Sequence, residues 1–205
     1  MILIISIFCA LGKTKIYLRI TESLKNVEID LFKRKMSVII KGEVITVKNI
    51  KTNVMRLLEK EKVPYTIHTY ENKDGQIDGI SVAHKIGLHE EKVYKTLVTQ
   101  GHSREYYVFI IPVDKELNLK AAAKAVDDKS VEMIKVADIN KVTGYIRGGC
   151  SPIGMKKLFK TVIDSTCLNW DTMVVSAGKI GYQIELAPKD LIKLTNAETS
   201  EIILS

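Results

Sequence analysis

Residues Tyr106–Pro112 read YYVFIIP, a nearly continuous apolar run that is rich in aromatic and β-branched side chains. A short run of this kind predicts a central strand that is buried on both faces. Upstream, Val93–Thr99 (VYKTLVT) also favours a strand, and its alternate residues, including Lys95, share one face. These two segments predict a β-sheet with a buried centre.

The remaining segments mix strands and helices. Further strands are predicted at Tyr65–Tyr70, Leu158–Ile163, Thr172–Ser176, Tyr182–Leu186 and Glu201–Leu204. Helices are predicted at Val54–Lys62 with Asn53 as N-cap, Val82–Ile86 with Ser81 as N-cap, Leu117–Val126, Val131–Val142 and, after Pro188, Lys189–Leu194. Because the regular βαβ spacing of a doubly wound sheet is missing, we expect one α/β domain with a mixed sheet.

The composition indicates an ordinary globular protein. The chain has 205 residues, 46% of them apolar and 27% charged, and a net charge of +7. Residues 1–46 hold eight basic and four acidic groups, which leaves 23 basic and 20 acidic groups, a net +3, for residues 47–205. That charge is compatible with contact to a nucleic acid but predicts it only weakly.

The cysteines and histidines suggest no metal site. Cys9, Cys150 and Cys167 are widely spaced and include no CxxC pair, so a reducing, cytoplasmic compartment is expected. His84 and His89 lie five residues apart, which misses the helical i, i+4 spacing of a zinc site. We therefore predict neither a metal nor a cofactor.

We expect that the N-terminal segment is not part of the domain. Met1–Leu11 is apolar but too short to span a bilayer, and no basic residue precedes it, so a membrane association is not expected. Lys41-Gly42-Glu43 can be encoded by a bacterial ribosome-binding sequence, and Val47 could be a GTG start. We hypothesise that residues 1–46 are a translated leader or a disordered extension, and that residues 47–205 form the domain.

A glycine-rich loop is the first candidate for chemistry. Gly144–Gly154 (GYIRGGCSPIG) contains four glycines and one proline. Exposed N–H groups beside Ser151 could receive an anionic or carbonyl oxygen, although the loop could equally be a plain turn. Ser151 has no GxSxG context, and Cys150 has no histidine at a diagnostic spacing, so Cys150 is expected to be a packed side chain.

Basic residues supply the second candidate. Lys95 in the middle of a predicted strand must either reach solvent or line a cavity, where its ammonium would attract a phosphate or a carbonyl oxygen. A solvated lysine at a strand edge is the alternative. Four lysines after the glycine loop form either a solvated face or a phosphate-binding one: Lys156, Lys157, Lys160 and Lys179.

Six segments, in unbroken order from about Asn53 onward, identify a resemblance. They are Lys62–Tyr70 (KVPYTIHTY), Val93–Val98 (VYKTLV), Leu117–Ala123 (LNLKAAA), Gly144–Lys157 (GYIRGGCSPIGMKK), Lys160–Thr166 (KTVIDST) and Val175–Gly181 (VSAGKIG). Together they resemble the YbaK/EbsC family of free-standing aminoacyl-tRNA editing proteins, which is related to the editing domain of bacterial prolyl-tRNA synthetases.

The resemblance implies a single α/β domain whose mixed, partly barrel-like sheet is surrounded by helices. It also implies a small pocket for the aminoacylated 3′ end of tRNA, and deacylation of Cys-tRNA(Pro), with Cys-tRNA(Cys) as a further candidate substrate. Prolyl-tRNA synthetase would be a partner. The alternatives are a deacylase for alanine or serine on tRNA, a non-catalytic module that binds tRNA or a synthetase, and a redox protein that depends on Cys150.

The resemblance further assigns site residues. Lys95 matches the functional lysine of the family, and Gly148-Gly149 matches the backbone at the pocket. Neighbouring pocket positions are matched by Tyr70, Thr96, Ser151 and Ser176. This sequence departs from the family at Ile180, where arginine is frequent, and at Cys150, where an aliphatic residue is common.

The implied mechanism needs no protein nucleophile. The thiolate of the bound cysteine would attack its own ester carbonyl, and N–H groups near Gly148 and Gly149 would stabilise the oxyanion. Lys95 would hold the terminal phosphate or the carbonyl in the reactive pose. Attack by a pocket water is the alternative mechanism.

Overall fold

The structure, a computed structural model, describes residues 50–204 in full and, before them, the backbone of five strands. The chain divides into two compact units, Met1–Lys51 and Thr52–Ser205. In the first unit, two strands form an antiparallel pair: β1 Ile4–Ala10 and β2 Lys13–Arg19. Three more strands form an antiparallel sheet: β3 Glu28–Asp30, β4 Met36–Ile40 and β5 Glu43–Val47. The leader hypothesis for residues 1–46 lies outside the fully described range and stays a prediction.

The second unit contains five helices and eight strands within residues 52–204. The helices are α1 Asn53–Lys60, α2 Gly79–Lys85, α3 Leu119–Ala125, α4 Val136–Thr143 and α5 Pro188–Thr195. The strands are β6 Thr66–Thr69, β7 Tyr94–Gly101, β8 Tyr106–Pro112, β9 Val131–Met133, β10 Lys160–Asp164, β11 Met173–Lys179, β12 Tyr182–Leu186 and β13 Glu198–Ser200. Short 3₁₀ turns lie at Glu90–Lys92 and Ser165–Asn169. None of the helices in this described part is long and apolar enough to cross a membrane.

Strand β8 lies at the centre of a five-stranded sheet with the order β13-β10-β8-β7-β9. Strand β10 runs parallel to β8 and β13, whereas β7 is antiparallel to β8 and β9. Every residue of β8 after Tyr106 is buried. The predicted central strand and the mixed sheet are therefore confirmed.

A second sheet holds β11, β12 and β6 in antiparallel order. A single parallel bridge between Val93 and Val174 connects it to the start of β7. The mixed α/β fold is thus as predicted, but its strands form two sheets that meet at this bridge.

Alternate side chains of β8 enter two different cores. Val108 and Ile110 pack into a large cluster with α1, α5 and strands of both sheets. Tyr107, Phe109 and Ile111 pack into a second cluster, which includes α3. Burying each side chain of this size contributes about 1.5–3 kcal/mol, so a strand that is apolar on both faces stabilises both layers.

Two predicted N-caps are wrong. Helix α1 is capped by Thr52, whose Oγ1 accepts the Met55 N–H at 3.2 Å, and not by Asn53. Helix α2 is capped by Asp78, whose Oδ1 accepts the N–H of Ser81 at 3.0 Å. The predicted cap, Ser81, is instead the third residue of the helix. Aspartate is as strong an N-cap as serine, so the helix can begin earlier, after Asp78.

Two predicted elements change at the sheet edges. Val131–Met133 begins the predicted helix Val131–Val142 but forms β9, because it pairs with the open edge of β7; the helix starts only at Val136. The last strand lies at Glu198–Ser200 beside β10, and Ile203 makes only a single bridge to Leu117. In both cases long-range pairing, which local sequence does not encode, decides the element.

Candidate active site

A cavity of about 180 Å³ lies where the beginning of α2, the beginning of β7, the glycine loop and the β11–β12 hairpin converge. Its walls are mostly apolar with a few polar groups, as is usual for a small-molecule site. It is lined by Ile77, Asp78, Gly79, Val82, Val93, Tyr94, Lys95, Thr96, Val113, Arg147, Gly148, Cys150, Ser176 and Gln183. Four of the seven predicted site residues are in this set: Lys95, Thr96, Gly148 and Ser176.

Lys95 is the second residue of β7 rather than a mid-strand residue. Its Nζ donates to the main-chain oxygen of Val113 at 3.2 Å and lies 3.6 Å from Oε1 of Glu116. Its side chain is 26% exposed, whereas that of Glu116 is 81% exposed, so this ion pair is weak. Because an ammonium has three donors, Lys95 keeps bonding capacity for a ligand in the cavity.

Two hydroxyl groups accompany Lys95. The Oγ1 of Thr96 is buried and has no hydrogen-bond partner within residues 50–204. An unpartnered buried hydroxyl costs about 1–3 kcal/mol, which a bound polar group would recover. The Oγ of Ser176 accepts the N–H of Gly178 at 3.3 Å and can still donate its own proton.

The main-chain N–H groups of the glycine loop differ in whether they are already hydrogen-bonded. Helix α4 ends at Gly144, which is left-handed with φ +87°. Gly148, with φ +79°, lines the cavity, and its N–H bonds to no residue of the described 50–204 range. The N–H of Gly149 donates to the carbonyl of Ile146 at 3.0 Å. The N–H of Gly149 is therefore already occupied, whereas that of Gly148 remains a candidate donor to an oxyanion.

The other three predicted site residues do not line the cavity. Ser151 is fully buried, and its Oγ accepts the N–H of Ile153 at 3.3 Å, which fixes the turn of the loop. A Cβ on Gly149 would lie 3.2 Å from the nitrogen of Ile180, so Gly149 allows the loop to pack on the β11–β12 hairpin.

Tyr70 is buried and directly follows strand β6. Its N–H donates to Gly181 at 3.1 Å, and its hydroxyl has no partner in the described part of the chain. Its ring faces the ammonium of Lys85, whose Nζ lies 5.9 Å from the ring centroid. Tyr70, Gly149 and Ser151 therefore lie outside the set of residues that line the cavity.

Cys150 lines the cavity as a neutral thiol. Burial raises its pKa to about 11, an effect only partly offset by a hydrogen bond with Thr143. A thiol with this pKa is protonated at neutral pH and is a poor nucleophile. This agrees with the interpretation of Cys150 as a packed side chain rather than a catalytic one.

Sequence reasoning missed several lining residues, among them Asp78, Arg147 and Gln183. Gln183 stands opposite Ser176 in the antiparallel register of β11 and β12, so strand pairing would have found it. Asp78 and Arg147 lie in loops that only the tertiary fold brings to Lys95. The cavity thus presents two cations, one carboxylate and no histidine.

Among residues 50–204 no group of three or more His, Cys, Asp or Glu side chains is arranged to hold a metal ion. The two cations of the cavity, Lys95 and Arg147, can bind an anionic or carbonyl oxygen of a ligand.

The sequence is similar to a family of editing domains and to two curated proteins that act on tRNA by their names. Residues 78–194 match the family described as the aminoacyl-tRNA editing domain. An Enterococcus faecalis protein, named as a candidate Cys-tRNA(Pro)/Cys-tRNA(Cys) deacylase EbsC, is 45% identical over 152 residues, which cover 74% of this chain and 93% of that protein. Proline–tRNA ligase of Fervidobacterium nodosum is 27% identical over 135 residues, which cover 60% of this chain and 23% of the ligase.

A solved structure shows the same fold. The crystal structure of a candidate trans-editing enzyme for prolyl-tRNA synthetase has a TM-score of 0.65 at 18% identity, and the match covers 77% of this chain and 100% of that one.

Proposed function

The chain belongs to the aminoacyl-tRNA editing domain family, and from that premise we propose that it is a trans-acting deacylase that removes cysteine from Cys-tRNA(Pro) and Cys-tRNA(Cys). The observation that carries this proposal is the 45% identity to the E. faecalis protein over 93% of its length. The Lys95 cavity supports it, because it offers charge and a main-chain donor but no nucleophile of its own.

The cations of the cavity suit the terminal adenosine of tRNA. Lys95 would bind the ester carbonyl or the adjacent phosphate, since its ammonium retains a free donor. Arg147 is exposed at the cavity, and its guanidinium can bind phosphate oxygens in a bidentate manner. We assign to Arg147 the phosphate contact that Ile180 cannot make.

The proposed chemistry uses the thiol of the substrate. Its sulfur attacks the ester carbonyl carbon, a C–S bond forms and the bond to the ribose oxygen breaks. The ribose oxygen takes the proton that the thiol lost, and a cyclic thiolactone leaves. The N–H of Gly148 would stabilise the oxyanion, a contribution of about 3 kcal/mol for one such donor.

Cellular context follows from the substrate. Charged tRNA is made and used in the cytoplasm, and we place the enzyme there. The net +3 of residues 47–205 favours weak binding of tRNA, so a partner would supply selectivity for one tRNA. Prolyl-tRNA synthetase is the partner we propose.

A panel of substrates tests the proposal. The full chain is mixed with Cys-tRNA(Pro), Cys-tRNA(Cys), Ala-tRNA(Pro) and Ser-tRNA, and release of the amino acid is followed under single-turnover conditions. We expect cysteine to be released fastest. Similar rates for serine and cysteine would contradict the thiol route and favour water, because a hydroxyl is the poorer nucleophile.

Two other outcomes separate the alternatives. Fast release of alanine with slow release of cysteine would indicate a deacylase for a different amino acid. Binding of tRNA without turnover of any ester would indicate a non-catalytic module.

A further inference from the structure

Asp78 supplies the single carboxylate among the residues that line the cavity. The residues on either side of Asp78 pack against two other segments, since Gly79 lies against Val113 and Ile77 lies against Gly148. A Cβ on Gly79 would lie 2.3 Å from Cγ1 of Val113, and a Cβ on Gly148 would lie 2.6 Å from Cδ1 of Ile77. A Cβ on Gly79 has no room beside Val113, and a Cβ on Gly148 would push the end of the Ile77 side chain aside. Residues 77–79 therefore pack closely between the end of β8 and the glycine loop.

The carboxylate of Asp78 is charged and available. Its Oδ1 accepts the N–H of Ser81 at 3.0 Å, and this hydrogen bond holds its pKa below the usual range. No lysine, arginine or histidine within residues 50–204 forms an ion pair with it. The two other acidic residues of the same loop differ, since Asp74 pairs with Lys85 and Glu71 with Lys73.

The position of Asp78 complements that of Lys95. The side chain of Val113 packs against Gly79, and its carbonyl accepts a hydrogen bond from Nζ of Lys95. Val113 therefore contacts both the segment that holds Asp78 and the side chain of Lys95. An aminoacyl ester carries an ammonium on the carbon next to its carbonyl. A cavity that holds the carbonyl or phosphate near Lys95 therefore needs an anion for that ammonium.

We propose that Asp78 binds the α-ammonium of the aminoacyl group and thereby makes the enzyme select esters with a free amine. This inference rests on the proposed deacylase function. Esters whose nitrogen is an amide, such as formylated aminoacyl-tRNA and peptidyl-tRNA, have no charge for Asp78 and are rejected. The enzyme would thus spare tRNA that is engaged in chain initiation or elongation.

Asp78→Asn tests the inference without removing the helix cap. Asparagine caps helices about as well as aspartate, so the fold is kept while the charge is lost. The matched control is Asp74→Asn, which removes a carboxylate from the same loop but outside the cavity lining. Each full-length protein is assayed on Cys-tRNA(Pro) and on N-acetyl-Cys-tRNA(Pro).

We expect the unmodified protein to prefer the free amine by about 10- to 100-fold, the range that a charge-assisted hydrogen bond supplies. Asp78→Asn should lower kcat/KM on Cys-tRNA(Pro) by that factor and leave the N-acetyl ester within about twofold. Asp74→Asn should preserve the preference.

The outcomes distinguish the inference from the proposed function. An equal loss on both esters in Asp78→Asn would assign Asp78 a purely structural role and overturn the inference, while deacylation by the unmodified protein would stand. Equal rates of the unmodified protein on both esters would also overturn it. Failure of the unmodified protein on Cys-tRNA(Pro) would overturn the proposed function and the inference with it.

Discussion

The Nζ of Lys95 donates to the main-chain oxygen of Val113 at 3.2 Å, one residue beyond the end of β8. The N–H of Val113 in turn donates to the carbonyl of Val93 at 2.9 Å. The central strand therefore sets the position of the one cationic side chain that strand β7 contributes to the cavity. Lys95 is therefore held by a buried residue next to the end of the central strand, which suits a group that must fix an ester in a reactive pose.

Replacement of Lys95 by alanine should lower kcat/KM for Cys-tRNA(Pro) by at least about 100-fold, because it removes a charge-assisted contact and the positioning that depends on it. Single-turnover deacylation measures the loss. Lys115→Ala is the matched control: this lysine pairs with Asp114 at 3.2 Å and does not line the cavity. Loss in the control, or a wild-type rate in Lys95→Ala, would contradict the assignment.

Sequence reasoning found the elements whose signal is local. Strands β8 and β12 are as predicted, since their apolar and β-branched residues form a pattern in the chain itself. The sequence predicts a helix at Val131–Met133, because the β7 residues with which this segment pairs, 99–101, are distant in sequence. Elements that depend on an open sheet edge were thus the ones that local pattern misassigned.

The candidate site shows the same difference between local sequence signals and long-range packing. Lys95 and Gly148 were reached through motifs that the resemblance supplied, and both line the cavity. Gly149 has its N–H committed to Ile146, a hydrogen bond that no motif reveals. Asp78 belongs to none of the motifs that the sequence analysis identifies; the packing of Gly79 on Val113 places it at the cavity.

Cys150 should be dispensable for catalysis. Its thiol has a pKa of about 11 because it is buried, so almost none of it is thiolate at pH 7. We expect Cys150→Ala to retain deacylation within about tenfold, since a small change in pocket volume is worth about 1 kcal/mol or more. A complete loss of activity in this variant would instead favour the redox or nucleophile hypothesis.

The reactivity of the same thiol gives a pH test. Burial also raises the pKa of Cys167 to about 11. In a Cys9→Ser background, alkylation of both thiols by iodoacetamide should be slow at pH 7 and should accelerate as pH rises toward 11, because the thiolate is the reactive form. Fast labelling of Cys150 at pH 7, read by mass spectrometry, would contradict a buried neutral thiol.

Glu185 should stabilise the fold in a pH-dependent way. Burial alone would raise its pKa, but hydrogen bonds from Lys92 (2.6 Å), Thr172 (2.6 Å) and His68 (2.7 Å) outweigh burial and lower the pKa to about 2. A carboxyl whose pKa is lower in the folded state stabilises the fold above its unfolded pKa, near 4.5, and this contribution is lost as pH falls from there toward 2.

Urea unfolding of Glu185→Gln measures this contribution. At pH 7 the variant should have a free energy of unfolding about 1.5–3 kcal/mol below that of the unmodified protein, since hydrogen bonds to a charged group are lost. The difference should shrink as pH is lowered through 4.5 toward 2. Glu71→Gln is the control, because its pair with Lys73 is 79% and 85% exposed and should contribute almost nothing. A pH-independent deficit in Glu185→Gln would contradict the role of the charge.

Gly148→Ala should impair activity more than stability. Gly148 has φ +79°, where alanine is strained by about 1–2 kcal/mol, and its Cβ would lie 2.6 Å from Cδ1 of Ile77. Because that atom ends a flexible side chain, Ile77 can move, and its movement disturbs the segment that holds Asp78. We expect a decrease of more than about tenfold in kcat/KM, with a loss of only about 1–2 kcal/mol in unfolding free energy.

Gly75→Ala separates backbone strain from the contact with Ile77. Gly75 has φ +73° but nothing within 4 Å of an added Cβ, so alanine there carries the same strain and no clash. Its stability loss should match that of Gly148→Ala while deacylation stays near the unmodified rate. Shortening the clashing side chain in Gly148→Ala/Ile77→Ala should restore part of the lost activity, because it makes room for the new methyl group. Equal activity losses in the two alanine variants, or no rescue in the double variant, would show that strain alone, and not the packing of Ile77 on the glycine loop, governs the site.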